Sequence, residues 1–204
     1  MPFVLDEITR LHNAADSRLA GKLDLNKIGI AGHSFGAWSA MAAGGMKVGG
    51  KLGKSFADDR IRCMIPLSPP VANKRQREAT YRTLNVPALF MTGTLDTSVI
   101  NNTTAQERLI PYQLMPGPSN NGAPKYLINF DGADHMTFSG ETKRRLRNKV
   151  SREDNQAFHA IILQSTTAFL DCYLLDDKNA KAWLNDGGFM ERVGDRGDVE
   201  MEIK

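Results

Sequence analysis

Cysteine is scarce in this chain of 204 residues: two occur, Cys63 in an apolar run and Cys172 in a helical pattern. Such a pair makes neither a disulfide framework nor a metal-ligand spacing, so both are expected as buried free thiols. Excess charge is lacking too. Lys plus Arg total 26 against 23 Asp plus Glu, a formal net charge of +3. That is too slight to imply nucleic acid or an anionic surface as partner. No apolar run approaches the roughly 20 residues that cross a bilayer, so no membrane span is expected. The first residues, Met1-Pro2-Phe3-Val4-Leu5-Asp6-Glu7, lack the basic and long apolar regions of a secretory signal. As it stands the chain reads as intracellular, its localisation otherwise open. Internal repeats and low-complexity tracts are absent, and the one basic run, residues 143–149, reads as a solvated face.

The remaining composition, 41% hydrophobic and 24% charged, is ordinary for a globular protein, and the length suits one domain over residues 1–204. Val4, Leu5, Ile8, Leu11 and Ala15 recur at helical spacing and predict a first amphipathic helix. The β-branched run 27–31 predicts a strand, and the small residues 37–43 predict a buried helix. Three further apolar runs, 62–68, 88–92 and 126–130, predict strands that close at Pro69-Pro70, Gly93 and Asp131-Gly132. A polar stretch at 73–82 and a loop rich in Pro, Gly and Asn at 111–124 separate them. Phe158, Ile161, Ile162, Ala168, Phe169 and Cys172 mark a long amphipathic helix capped by Ser151 with an acid at Asp154. Near-continuous apolar strands alternating with helices or loops argue for an α/β arrangement, a sheet of about four parallel strands covered on both faces.

Between the first strand and the buried helix lies Gly32-His33-Ser34-Phe35-Gly36. This fits G-x-S-x-G, a sharp strand-to-helix turn that projects the serine hydroxyl, with glycines at 32 and 36 expected so that the backbone can close up. The same turn sets the backbone N–H of Phe35 at a helix N-terminus, where it can donate to an oxyanion. A serine hydroxyl needs a base to become a useful nucleophile. Of four histidines, His12 and His159 lie in expected helices, and His33 is fixed in the turn with its side chain expected to point away from the hydroxyl. His135 remains, just past the fourth strand, in Gly132-Ala133-Asp134-His135-Met136-Thr137-Phe138. Ligands of open α/β sheets bind at such strand ends. Asp96, after the third strand in Gly93-Thr94-Leu95-Asp96, is the candidate acid. Its rivals Asp131 and Asp134 are close enough in sequence to His135 to shape its loop instead. The order Ser34, Asp96, His135 is nucleophile, acid, base.

On these three segments the chain resembles the α/β-hydrolase superfamily, and especially its dienelactone-hydrolase-like and platelet-activating-factor-acetylhydrolase-like serine esterases. The likeness runs from the first helix to the C-terminus and includes Gly187-Gly188-Phe189. It implies a three-layer sheet of that type and hydrolysis of a small-molecule carboxylic ester through an acyl-serine intermediate, without metal or organic cofactor. Dienelactone hydrolases proper carry a cysteine nucleophile, so their lactone substrate does not transfer to Ser34. In the family several strands precede the nucleophile turn, and the loop after the third supplies a second oxyanion N–H. Here a helix and one strand precede it, which resembles the C-terminal half of the fold: either Met1 is an internal start, or part of the sheet has been lost. Without those strands the first strand is expected to be an edge, inviting self-association and weakening activity. The rival reading is an inactive homologue that serves as a binding or assembly module.

Overall fold

A computed structural model of the chain describes residues 2–98, 102–140 and 150–204. The basic run at 143–149 lies outside the described residues.

The main sheet has five strands in the order β1-β4-β5-β6-β7. These are β1 (Ile28–His33), β4 (Ile61–Leu67), β5 (Ala88–Leu95), β6 (Lys125–Asp134) and β7 (Gly197–Glu202). The first four are mutually parallel, in the number expected. The fifth, β7, runs antiparallel to β6 and adds an element the apolar runs do not announce. Two-residue strands β2 (Lys47–Val48) and β3 (Lys54–Ser55) form a separate small ribbon.

Alternation along the strands builds two cores. On β5, Ala88 and Phe90 enter one buried cluster while Leu89 and Met91 enter the other, and on β6 Leu127 opposes Tyr126 and Ile128 in the same way. Successive side chains of a strand point to opposite faces, so a strand apolar at every position needs cover on both. Helix α1 (Pro2–Asn13) contributes Leu5 to the first cluster, and α2 (Phe35–Ala43) contributes Ala40, Met41 and Ala43. Phe158, Ile161 and Phe169 of α5 (Arg152–Leu175) fill the second. They are joined there by Leu184 of α6 (Lys178–Asn185) and Phe189 of α7 (Gly188–Val193). Helices therefore cover both faces of a parallel-dominated sheet, an α/β fold.

Several local expectations need correction. β5 and β6 continue past Gly93 and Asp131-Gly132, because Gly93 packs so closely on β6 that an added Cβ would meet the Ala133 carbonyl oxygen at 2.3 Å. The polar stretch at 73–82 contains α3 (Arg77–Tyr81), whose Thr80 and Tyr81 are buried. The loop expected at 111–124 overlaps α4 (Ile110–Leu114), begun with a proline in its first turn, where a missing N–H costs nothing. Helix α5 is, by length and composition, long and apolar enough to cross a membrane. Its Phe158, Ile161, Phe169 and Cys172 are instead packed in the second core. Cys63 and Cys172 are buried and free, as expected.

Candidate active site

Ser34 sits between β1 and α2 with φ 57° and ψ −118°, a conformation costly for a residue with a side chain. Three hydrogen bonds hold it there. Its N–H donates to the carbonyl of Leu67 at 3.0 Å, and its own carbonyl accepts from Ala37 and Trp38 at the start of α2. The turn is tight enough that a Cβ on Gly32 would meet the Gly36 carbonyl carbon and oxygen at 2.3 Å. Gly36 departs from expectation, since a Cβ there would meet nothing within 4 Å. The close approach requires glycine at 32, and the space around 36 does not. Phe35 and Gly36 open α2, so their N–H groups have no partner within the helix.

β1, β5 and β6 bring the three sequence-predicted residues to one end of the sheet. His135 Nε2 lies 3.1 Å from Ser34 Oγ, and His135 Nδ1 lies 3.0 Å from Asp96 Oδ1. An ionised carboxylate only accepts, so Nδ1 carries the ring proton and Nε2 turns its lone pair to the serine hydroxyl. Asp96 is fully buried, whereas the His135 side chain keeps 28% of its surface exposed. The histidine can therefore exchange protons with a bound molecule while its acceptor stays dry.

The turn that presents His135 is fixed by the other acids. Asp134 caps the 3₁₀ turn His135–Ser139, accepting from the N–H groups of Met136 at 2.9 Å and Thr137 at 3.1 Å. Asp131 accepts from Thr94 Oγ1 at 3.0 Å. His159 reaches the Thr137 carbonyl from α5 at 2.8 Å, and His12 lies away from the site, accepting from the Leu23 N–H. His33 turns its ring to the His135 backbone. Its Nε2 donates to the backbone carbonyl of His135 at 2.9 Å, and the two imidazole rings are 4.7 Å apart. Burial, then the neighbouring His135, pushes His33 below its ordinary pKa, so at neutral pH it is an uncharged donor.

Three residues that sequence reasoning missed surround Asp96. Thr92 donates to Oδ2 at 2.9 Å. Ser68, at the end of β4 with φ 48°, places its Oγ 2.6 Å from His135 Nδ1. Arg108, 3% exposed, sets Nε 2.8 Å from Oδ1. Burial would raise the Asp96 carboxyl, but the hydrogen bond to His135 and the charge of Arg108 outweigh it and hold the group below the usual carboxylate range. Ser68 had a legible signal, because it too closes a strand. Arg108 had none, standing in an unremarkable Gln106-Glu107-Arg108-Leu109 segment. Among the described residues no three His, Cys, Asp or Glu side chains gather as a metal site.

Compared with known protein families the chain matches no family model, and no curated protein matches it.

Proposed function

We propose that the chain is a serine hydrolase of the α/β-hydrolase type, cleaving carboxylic esters through an acyl-serine intermediate. One observation carries this reading: a serine on a strained strand-to-helix turn, a partly exposed histidine 3.1 Å away, and a buried carboxylate 3.0 Å beyond. They stand at the ends of three parallel strands, in the chain order nucleophile, acid, base.

The chemistry follows from the donors and acceptors. Ser34 Oγ attacks the ester carbonyl carbon while His135 Nε2 takes its proton. The carbonyl electron pair moves to oxygen, and the Phe35 N–H at the head of α2 donates to that oxyanion. Collapse breaks the bond to the alcohol, which leaves with the proton from His135, and the acyl group stays on Ser34. Water, deprotonated by the same Nε2, then releases the acid and restores the hydroxyl. Asp96 takes no proton; it fixes the ring and its tautomer and stabilises the imidazolium. The cycle needs no metal or organic cofactor.

Turnover of a short-chain activated ester by the purified chain, with fluorophosphonate labelling alongside, tests the assignment. Ser34→Ala is expected to abolish both. His135→Ala is expected to slow labelling and turnover by on the order of 10⁴-fold or more, and loss of Asp96 to cost less. Equal labelling of wild type and His135→Ala would overturn the assignment. A wild-type chain that is folded yet neither labels nor turns over ester favours the binding or assembly module instead.

A further inference from the structure

We propose that Arg108 is a positioning residue for the Ser34 site, clamping the Asp96 carboxylate to the end of β4 so that His135 always faces the same charged acceptor. The inference rests on the serine-hydrolase reading and adds to it a residue outside the nucleophile, base and acid.

The geometry is that of a clamp rather than of a surface ion pair. Nε of Arg108 donates to the main-chain oxygen of Asp96 at 2.8 Å and stands 2.8 Å from the side-chain Oδ1 as an ion pair, so the guanidinium holds the residue at two points. Nη1 donates to the carbonyls of Ser68 at 3.1 Å and Pro69 at 2.9 Å, which close β4. One planar guanidinium thus ties the ends of β4 and β5 together, a task suited to arginine's fixed fork and not to a lysine's single point of charge. Nη2 comes within 3.3 Å of His135 Nδ1, where two donors face each other, so this contact is a close approach and not a bond. Ser68 belongs to the same knot. Its φ of 48° is a costly backbone state for serine, kept where Arg108 holds its carbonyl and its hydroxyl meets His135.

A cation so near the acid is a potential competitor of the histidine for it. Competition is avoided by the count of acceptor sites. A carboxylate offers about four lone-pair positions: Oδ2 takes Thr92 and Oδ1 takes His135, while the Nε–H of Arg108 is directed to the main-chain oxygen and pairs with Oδ1 by charge. Arg108 therefore adds to the His135 contact. The titratable and charged groups facing Asp96 are Arg108, from the turn before α4, and His135, after β6, with His33 from β1 behind the His135 ring. Arg108 is the permanent cation among them, and a neighbouring arginine lowers a carboxylate by roughly one to three pH units.

The test compares wild type, Arg108→Lys and Arg108→Met in two measurements. The first follows the ¹³C signal of the Asp96 carboxyl against pH, which reads the clamp whether or not ester is turned over. The second is kcat/KM for a short-chain activated ester across pH. Arg108→Met is expected to raise the Asp96 titration midpoint by about one unit or more. It is also expected to lower kcat on the order of 10- to 100-fold with KM little changed, as a misplaced catalytic group does. Arg108→Lys, which keeps the charge and loses the fork, restores the midpoint toward wild type but not kcat. A midpoint unchanged in a folded Arg108→Met overturns the inference. So does a loss carried by KM alone. If Arg108→Met fails to fold, the Arg108→Lys comparison decides: wild-type kcat in that variant is the overturning result. A chain whose carboxyl midpoint responds but which shows no Ser34 labelling keeps the clamp and sinks the hydrolase reading alone.

Discussion

Gly32 and Gly36 bracket the same serine but serve it differently. A methyl on Gly32 would fall 2.3 Å from the Gly36 carbonyl, backbone that cannot move without opening the turn. Gly32→Ala is therefore expected to cost both stability and Ser34 reactivity. Gly36 opens α2 with free space around it, so Gly36→Ala is expected to hold stability or raise it by up to about 1 kcal/mol from helix propensity. Thermal unfolding of the pair checks the contrast, and equal destabilisation by both would refute it. His33 gives a second prediction at this scale. Its folded pKa lies below the unfolded value of about 6.5. The unfolded chain thus binds the proton first as pH falls, and stability complete above that value is lost on the way down to the folded one. His33→Gln keeps a donor for the His135 carbonyl and cannot titrate. Denaturant unfolding between pH 5 and 7.5 should show a flatter pH dependence in the variant, and identical slopes would remove His33 as the cause.

The elements that carry the site are those whose pattern was plainest in the sequence. A strand apolar at every position, as in Leu89, Phe90 and Met91, can only lie between two cores, and its end is then where a polar residue such as Asp96 must emerge. What stayed hidden has physical causes. α4 lies in a segment dense in Pro, Gly and Asn, and its last carbonyls are satisfied from afar: Lys125 Nζ donates to Tyr112 at 3.0 Å and Met115 at 2.8 Å. β7 is an edge strand with Asp198 and Glu200 exposed, and only Val199 and Met201 turn to the core, so no apolar run marks it. Arg108 was illegible because its importance comes from contacts with Ser68, Asp96 and His135, all distant in sequence. The α7 segment offers a test of packing at this scale. Phe189 is fully buried between Tyr126, at a ring distance of 6.1 Å, and Trp183, at 5.8 Å. Phe189→Ala is expected to cost about 3–5 kcal/mol in denaturant unfolding. A loss below 1 kcal/mol would mean that α7 adds little to the second core.

Over the whole molecule the two edges of the sheet are unlike. β7 guards one with alternating acids, a common means of discouraging further pairing. At the other, β1 has β4 as its one strand neighbour among the described residues, and Ile28 to His33 carry no Lys, Pro or acid to blunt the edge. Its free N–H and C=O groups stand beside a mainly apolar groove, with Leu5, Ile8, Ile28, Leu170 and Leu174 in its lining and Lys22, Asp24, Lys27 and Asp171 beside them. A second copy of the chain satisfies both needs at once, because two β1 strands related by a two-fold axis pair through the same groups and bring their grooves together. We therefore expect concentration-dependent self-association through β1. We also expect weak ester turnover in the dissociated chain, since the serine-hydrolase reading supplies one oxyanion donor, Phe35, and a missing donor costs roughly 10² to 10³ in rate. Light scattering across a dilution series, with turnover measured at each step, examines both expectations. Ala31 is exposed on β1, so Ala31→Lys should suppress association by placing a solvated charge on the edge. If the paired copy supplies the second donor, specific activity falls on dilution in the wild type and is low at every concentration in Ala31→Lys. A wild-type monomer of high, concentration-independent activity would defeat the expectation and assign the whole oxyanion site to a single chain.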